Sequence, residues 1–424
     1  MAVLSDSLTP DFYCNSLPLP EHQYRVVDAL LTIGLLSRTE LAEHLGYSRA
    51  LISGVVKELV DRAILTEGRE ADSTGGRRAK MLCLNSGFGY LIGIDMGATS
   101  LEIAVADFSG AHLLRRSEQI DVRDGPGVIL DRLAVVVAEM LAELHIPADR
   151  VISVGIGVPG PVDFARGILI APPIMPGWER YPIRERLRQT FPTATIVVDN
   201  DVNVMALGEL RGGAGKDVEN FIYVKIGTGI GCGIVVRGSI YRGSSGCAGD
   251  IGHIQADRQG PVCHCGNVGC LEAMASGSAI ARRASEVAHD GSSPVLARYL
   301  ADGAVLTAEH VGRAARSGDE VAMGIIKSSG MLIGEVLAGV VNFYNPSLIV
   351  IGGGVAKIGT QFLTTIRRGI LSRSLPLSTQ HLRIDYSSIG DDAGVIGAVA
   401  LALEYVFIPE AAATKRTLVE RRGH

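Results

Sequence analysis

Hydrophobic positions follow two different periods along the chain. Up to about residue 85, apolar residues recur every three or four positions, which is the spacing of amphipathic helices. From Tyr90 onward, short continuous apolar runs end in glycine-rich turns, which indicates the buried strands of an α/β fold. The pattern therefore predicts a helical amino-terminal domain followed by a larger α/β domain.

Three amphipathic segments make up the helical part, at Tyr24–Ile33, Arg38–Leu45 and Arg49–Arg62. Ser37 precedes the second segment and Glu40 follows three residues later, which is the spacing of a capping box. A helix, a short glycine turn and a second helix at this spacing are typical of a helix-turn-helix. We therefore expect the second and third segments to form that motif.

Two strand-like runs, Ile64–Glu67 and Lys80–Leu84, follow the helices and flank a loop with consecutive arginines. Three helices and a hairpin predict a winged helix-turn-helix over residues 21–85, whose last helix would enter the major groove while the wing reaches the minor groove. The predicted DNA-binding residues are Ser48, Arg49, Ser53, Lys57, Arg77 and Arg78. Acidic residues outnumber basic ones over residues 1–85, so a helical protein-interaction module is the alternative for this domain.

A glycine-rich loop in the α/β part contains one imidazole and three thiols at short spacing. His253 is followed by Cys263, Cys265 and Cys270, and this donor set is typical of a closed tetrahedral zinc site. We therefore expect a structural Zn²⁺ bound by these four residues. Three free thiols are the alternative. His264 is an alternative ligand, although its position between two ligating cysteines would turn its side chain away from the metal.

Two carboxylates stand close to this cluster in sequence, because Asp250 precedes His253 by three residues and Glu272 follows Cys270 by two. A metal would gather them into a polar cluster suited to binding hydroxyl groups. Along this stretch the sequence resembles the ROK family of sugar kinases and sugar-responsive repressors. The signature of that family reads Gly-x-x-Gly-x-Ala-Gly-Glu-x-Gly-His, followed by Cys-x-Cys-Gly-x-x-Gly-Cys-x-Glu. Asp250 departs from it, since it is one methylene shorter than the usual Glu.

The resemblance covers about residues 22–405. It implies a winged helix joined to a two-lobed actin-like ATPase domain of the ROK kinase type, which we place at residues 88–408. It implies that a sugar or sugar-phosphate effector is bound by Asn200, Asp201, Asp250, His253 and Glu272. It also implies operator DNA as a partner and a homodimer or homotetramer. Residues 1–20 predict a flexible leader, and residues 409–424 predict a solvated tail.

Two glycine turns carry residues suited to contact phosphate groups, and each follows an apolar strand. Backbone amides and a hydroxyl at such turns bind nucleotide phosphates in actin-like ATPases, with the Asp of the first turn oriented towards magnesium-bound water. A third turn, after Leu348–Ile351, suits the passage of a base or ribose. The predicted nucleotide-binding residues are Asp95, Gly97, Thr99, Thr228, Gly229, Gly231 and Gly353, with ATP and Mg²⁺ as the ligand. Taken alone, the first turn is equally typical of an ordinary strand connection.

The strand Thr195–Val198 ends in a run of polar residues, Asp199-Asn200-Asp201. Open α/β sheets bind their ligands just past the carboxyl ends of strands. Asp201 is therefore predicted to be the catalytic general base that accepts a sugar hydroxyl proton during phosphoryl transfer, with Asn200 on a neighbouring hydroxyl. Capping of the next helix, Val204–Leu210, is the alternative role for Asp201. The pattern of the ROK family at this place is Glu-Asn-Asp, and its last Asp is catalytic. This resemblance favours the role of general base for Asp201.

Composition narrows the class of protein. A chain of 424 residues, 47% apolar and with 52 glycines, fits two or three α/β domains. The net charge of −5 gives no general sign of nucleic-acid binding. Seven cysteines, an odd number, argue against a disulfide framework and for the reducing cytoplasm. The longest apolar stretch, near Val336–Val355, is interrupted by asparagines and a proline, so we expect no membrane span.

Three functions, from two different classes, follow from these motifs. The first is a sugar-responsive transcriptional regulator. The alternatives are an ATP-dependent, glucokinase-like sugar kinase, or a regulator that retains kinase activity. Against a kinase stand Ala98, Ser100 and Asp250, where ROK kinases usually have Gly, Lys and Glu. If the first turn requires positive φ at Ala98, its methyl group would cost about 1 kcal/mol and displace the backbone from the phosphate.

Overall fold

The computed structural model describes residues 15–70 and 80–412. These residues divide into two compact units. The first unit runs to Val204 and resumes at Gly394, and the second is Met205–Ala393. The α/β class predicted from the sequence is confirmed, since each unit is built around a five-stranded sheet with helices.

The amino-terminal elements form the predicted winged helix-turn-helix. These elements, with the strand before them, are β1 Leu17–Leu19, α1 Glu21–Ile33, β2 Leu36–Ser37, α2 Arg38–Leu45, α3 Arg49–Asp61, β3 Leu65–Glu70 and β4 Lys80–Leu84. The sheet order is β2-β4-β3, and both pairings are antiparallel. The predicted capping box is present, because the Ser37 hydroxyl accepts from the Glu40 amide and the Glu40 carboxylate accepts from the Ser37 amide. Gly46 ends α2 in the left-handed conformation.

Residues 15–20 are docked, although the sequence predicted a flexible leader over residues 1–20. Strand β1 pairs in parallel with Phe407–Pro409 near the carboxyl end of the chain, and Leu19 is fully buried. A strand of three residues is too short to display a period, and its partner is at the opposite end of the sequence. For residues 15–20 the prediction of a flexible leader is therefore wrong, because this segment contains a paired strand. Residues 1–14 lie outside the described part.

The first unit continues as one sheet with helices and a small hairpin. Its elements are β5 Tyr90–Met96, β6 Ser100–Asp107, β7 His112–Gln119, α4 Pro126–Glu143, β8 Val151–Val158, β9 Val162–Asp163, β10 Ile168–Leu169, α5 Ile183–Arg188 and β11 Thr195–Asn200. The sheet order is β11-β8-β5-β6-β7. Strands β5, β8 and β11 are parallel to one another. Strand β6 pairs antiparallel with β5, and β7 pairs antiparallel with β6. Almost every residue of β5 and β8 is buried, which explains their uninterrupted apolar sequence.

The second unit repeats this strand order. The elements from Asp201 onward are α6 Asp201–Gly212, β12 Phe221–Ile226, β13 Ile230–Val236, β14 Ser239–Ile240, α7 Leu271–Ala275, α8 Gly277–His289, α9 Pro294–Ala301, α10 Ala308–Arg316, α11 Glu320–Tyr344, β15 Leu348–Gly352, α12 Thr360–Arg373, α13 Pro376–Thr379, β16 Arg383–Tyr386, α14 Asp392–Glu404 and β17 Phe407–Pro409. The sheet order is β14-β13-β12-β15-β16. In both sheets the first strand in sequence is central, its hairpin partners lie on one side, and the two later strands lie on the other. This repeated topology agrees with the two lobes of the predicted actin-like domain.

Helix α11 contains the start of the apolar stretch noted in the sequence. Among the described helices, it alone is long and apolar enough to cross a membrane by length and composition, and half of its most apolar window is buried. Its residues Ile333, Leu337 and Val341 belong to the core of the second unit. Packing against that core accounts for the apolar character of the helix.

Candidate functional site

The four predicted zinc ligands lie together in the second unit. The Nδ1 atom of His253 is 3.6 Å from the Sγ atom of Cys263, and the Sγ atoms of Cys265 and Cys270 are 3.7 Å apart. All four ligand atoms lie within 4.8 Å of one another. Zinc–sulfur and zinc–nitrogen bonds of about 2.3 and 2.0 Å place tetrahedral ligands about 3.5–3.8 Å apart. The donor set and its spacing therefore fit a structural Zn²⁺. His264 is exposed and outside this cluster.

Backbone pairing brings the distant parts of this loop together. Isolated antiparallel bridges join Val262 to Val268 and Gln255 to Cys270. Gly269 has a φ of 71°, and a Cβ there would lie 1.5 Å from the carbonyl oxygen of Asp257. Only glycine allows this approach, which sets the last cysteine beside the others.

The cluster is electrostatically suited to a cation. Burial, with a further contribution from the two neighbouring thiols, raises the pKa of Cys270 to about 12. A bound divalent cation reverses this preference, because a coordinating thiol is deprotonated outright. Three thiolates and one neutral imidazole would then more than balance the charge of a divalent cation.

Asp250 lies on the side of His253 away from the thiols. The Nε2 atom of His253 is 3.9 Å from the Oδ1 atom of Asp250, and both side chains are partly exposed. With Nδ1 facing the thiols, Nε2 faces the carboxylate and the solvent. A metal on Nδ1 would fix the ring orientation, and the outward pair can donate to and accept from a hydroxyl group.

Glu272 makes a contact that the sequence did not predict. It lies in α7, two residues after Cys270, and its Oε2 atom accepts a hydrogen bond of 2.9 Å from the amide of Ile230. Ile230 is the first residue of β13, directly after the glycine turn. The carboxylate expected to bind sugar is therefore also attached to the turn expected to bind phosphate.

The second glycine turn is shorter than its sequence suggested. Residues 227–229 connect β12 and β13, while Gly231 lies within β13 and pairs with Lys225. Thr228 is exposed at the tip, where its hydroxyl can meet a ligand. Gly353, after β15, has a φ of 86°, and a Cβ there would lie 2.5 Å from the carbonyl oxygen of Ile226.

The first glycine turn lies in the other unit, at the end of β5. Asp95 is buried, and a Cβ on Gly394 would lie 1.8 Å from its Oδ2 atom, so the first turn of α14 packs directly against the carboxylate. The amide of Gly97 donates to the carbonyl oxygen of Ser100 at 2.8 Å and closes the turn. Ala98 does not have positive φ. The conditional argument against phosphate binding at Ala98 therefore does not apply.

Asn200 caps the helix after β11, and the Oδ1 atom of Asp201 also accepts from the amide of Val202 at 2.9 Å. The Oδ1 atom of Asn200 accepts from the amide of Val202 at 2.9 Å, and its Nδ2 atom donates to the carbonyl oxygen of Gly160 at 2.9 Å. Asp201 is the first helical residue and is 4% exposed. Helix α6 thus begins earlier than the predicted Val204–Leu210, because its cap is part of the polar run itself.

Sequence reasoning missed two further buried charged residues, Arg184 and Glu209. Arg184 donates to the carbonyl oxygen of Ile196 in β11 at 3.1 Å and to two carbonyl oxygens between β9 and β10. In the second unit, Glu209 is fully buried and accepts from the amide of Ala214 at 2.7 Å. Both hold loops through backbone groups. A charged residue on the apolar face of a short helix was the only hint available.

The predicted DNA-binding residues of α3 form an exposed stripe. Ser48 caps the helix by accepting from the amide of Leu51, and Arg49, Ser53 and Lys57 follow at intervals of four on one face. The Lys57 ammonium is 2.7 Å from a carboxylate oxygen of Asp61. The predicted wing residues Arg77 and Arg78 lie outside the described residues.

The chain is similar to a known protein family, to relatives and to a solved structure. The model of the ROK family matches residues 91–405. The putative xylose repressor of Caldicellulosiruptor sp. (strain Rt8B.4) is 31% identical over 89% of this chain and 94% of that protein. The glucokinase of Halalkalibacterium halodurans is 34% identical over 73% of this chain and 93% of that protein. A crystal structure of a ROK family transcriptional regulator, a homolog of the E. coli MLC protein, aligns with a TM-score of 0.77 and 28% identity over 93% of this chain and 97% of that chain.

Proposed function

The chain belongs to the ROK family, and on that basis we propose that it is a sugar-responsive transcriptional regulator. It binds operator DNA through its winged helix-turn-helix and a sugar or amino sugar through residues of the zinc loop, which we define as residues 250–272. The extent of similarity carries this proposal. The repressor relative matches 89% of the chain and the glucokinase 73%, while the family model begins only at residue 91. The additional length matched in the repressor corresponds in size to the helical domain.

The α3 stripe supports the DNA-binding half of the proposal. Arg49, Ser53 and Lys57 are exposed on one helix face, as a recognition helix requires. A reader of operator DNA in the same chain as a sugar site gives two sites whose affinities can be coupled by the ligand. Such coupling is the physical basis for a sugar-controlled repressor.

The zinc loop supports the sugar-binding half. Asp250, His253 and Glu272 present two carboxylates and an imidazole nitrogen close to one metal-binding cluster. The Zn²⁺ bound by His253 and the three cysteines would hold these groups in place without taking part in chemistry. Its fourth ligand leaves no open position, which is the arrangement of structural zinc sites. The ROK resemblance also assigns Asn200 and Asp201 to sugar binding.

Retained kinase activity is the second function that a specific observation favours. The turn from Gly97 to Ser100 is closed by a backbone hydrogen bond without a strained residue. Binding of ATP and Mg²⁺ at Asp95, Gly97, Thr99, Thr228, Gly229, Gly231 and Gly353 is therefore part of this alternative. Asp201 would then act as the general base.

Assembly and location follow from the same proposal. Regulators with a helix-turn-helix bind paired half-sites as dimers, so we propose a homodimer or homotetramer. We also propose that the protein acts in the cytoplasm, where reduced thiols remain available to zinc.

A sugar-titrated gel shift on the promoter of the chain's own gene tests the proposal. Xylose, glucose and N-acetylglucosamine are added to the wild-type protein, to His253→Ala and to His264→Ala. We expect one sugar to change DNA binding in the wild type and in His264→Ala, while His253→Ala binds DNA but does not respond. Absence of specific DNA binding by the zinc-loaded wild type would reject the regulator.

A further inference from the structure

Glu272 lies against the turn that joins β12 and β13. Its Oε2 atom is 2.9 Å from the amide nitrogen of Ile230. A Cβ on Gly229 would lie 2.3 Å from the same oxygen, so the carboxylate fills the space that a side chain there would need. The hydrogen bond and the close packing fix the end of the turn to α7.

A second connection fixes the start of the turn. The amide of Gly277, at the start of α8, donates to the carbonyl oxygen of Gly227 at 2.8 Å. A Cβ on Gly277 would lie 2.7 Å from that oxygen. The turn is therefore held at both ends by the residues that follow the last zinc ligand.

The zinc loop contacts β13 on the other side of Glu272. The amide of Leu271 donates to the carbonyl oxygen of Ile254 at 2.9 Å, and a Cβ on Gly252 would lie 2.2 Å from the carbonyl oxygen of Ile230. These contacts leave little freedom for the loop to move without the turn. Within residues 15–70 and 80–412, the second carboxylate oxygen of Glu272, Oε1, accepts no hydrogen bond.

We propose that Glu272 is a positioning residue that transmits the order of the zinc loop to the turn at residues 227–229. Oε2 holds the amide of Ile230, and Oε1 is left to accept a hydrogen bond from a sugar hydroxyl. The role of Oε1 rests on the proposed function, whereas the role of Oε2 does not. One carboxylate thus links sugar recognition to the conformation of the turn expected to bind phosphate.

Hydrogen exchange without sugar or DNA tests the positioning role. Amide exchange of residues 227–233 is measured by NMR or mass spectrometry in the wild type, Glu272→Ala, Glu272→Gln and Glu286→Ala. Glu286 is an exposed residue of α8 paired with Arg282, and it serves as the control. Loss of a hydrogen bond of typical strength should speed exchange at Ile230 about five- to tenfold in Glu272→Ala. Glu272→Gln keeps an acceptor oxygen, so it should change the exchange rate at Ile230 less than about threefold. Glu286→Ala should leave this rate unchanged.

Zinc content and circular dichroism are recorded for each variant to separate local from global effects. If Glu272→Ala does not fold, Glu272→Asp replaces it, because the shorter carboxylate cannot reach the amide of Ile230 without moving α7. Unchanged exchange at Ile230 in a folded, zinc-loaded Ala or Asp variant would overturn the proposal. Failure of sugar to alter DNA binding would count against the proposed function and leave this result standing.

Discussion

The hydroxyl of Ser16 donates a hydrogen bond of 2.8 Å to the carbonyl oxygen of Tyr405. This bond joins the segment before α1 to the segment between α14 and β17. Ser16 also lies 3.4 Å from the hydroxyl of Thr195, the first residue of β11. Strand β11 ends at Asn200, so the residues before the DNA-binding domain contact the opposite end of the strand that carries the proposed sugar residues. The contact joins the segment before α1 to the first residue of β11.

Truncation of Leu19 should destabilise the first unit. Leu19 is fully buried at the end of β1, and removing such a side chain typically costs about 2–5 kcal/mol, partly through the cavity left behind. Leu17 is on the same strand but partly exposed, so Leu17→Ala is the matched control, with a cost expected below about 1 kcal/mol. Urea unfolding followed by fluorescence measures both. Equal costs for the two substitutions would argue against a docked strand.

Purified protein should contain one zinc per chain, and its removal should melt the zinc loop. The binding free energy of a structural metal contributes directly to folding, so chelation should lower the melting temperature of the second unit. Cys270→Ala should reproduce this effect, while Cys247→Ala, which changes an exposed thiol outside the cluster, should not. Metal analysis and calorimetry provide the readouts. Substoichiometric zinc in protein purified without chelator would contradict the site.

Arg49→Ala should weaken operator binding and leave sugar affinity unchanged. Removing one contact to phosphate should reduce the slope of binding against salt concentration by about one. Arg77→Ala, in the predicted wing, should have the same effect. Arg313→Ala is the control, because this exposed arginine of α10 forms an ion pair with Glu309 far from α3 in sequence. Fluorescence anisotropy at several salt concentrations distinguishes the variants, and an unaltered slope for both Arg49→Ala and Arg77→Ala would favour a protein-interaction module.

Asp201→Asn should separate binding from catalysis. If Asp201 is a general base, the substitution should lower any phosphoryl transfer from ATP by about 10²–10⁴-fold while sugar binding persists in part. If Asp201 only accepts a hydrogen bond from a sugar hydroxyl, the substitution should weaken the response of DNA binding to sugar without a separate effect on phosphoryl transfer. Calorimetry with the effective sugar and an ATP-turnover assay measure the two quantities. Undiminished ATP turnover in Asp201→Asn would exclude Asp201 as the general base.

Local sequence determined the features that depend on short spacing. The capping box of Ser37 and Glu40, the exposed stripe of α3 and the cluster of one histidine and three cysteines were predicted from residues near one another in sequence. Helix geometry and metal coordination impose fixed spacings on such residues, so these features can be recognised from the sequence alone. The same reasoning placed the starts of β11 and β15, at Thr195 and Leu348, because largely apolar runs are typical of strands buried on both faces.

Tertiary structure alone decided the relationships between distant backbone groups. Strand β1 pairs with β17, the Glu272 carboxylate accepts from Ile230, and the side chain of Asn200 both caps α6 and reaches Gly160. A backbone amide or carbonyl group is the same at every position, so sequence cannot indicate which one a side chain will meet. Only the packing of the folded chain selects these partners, since each buried polar group must find a hydrogen bond where the core places it.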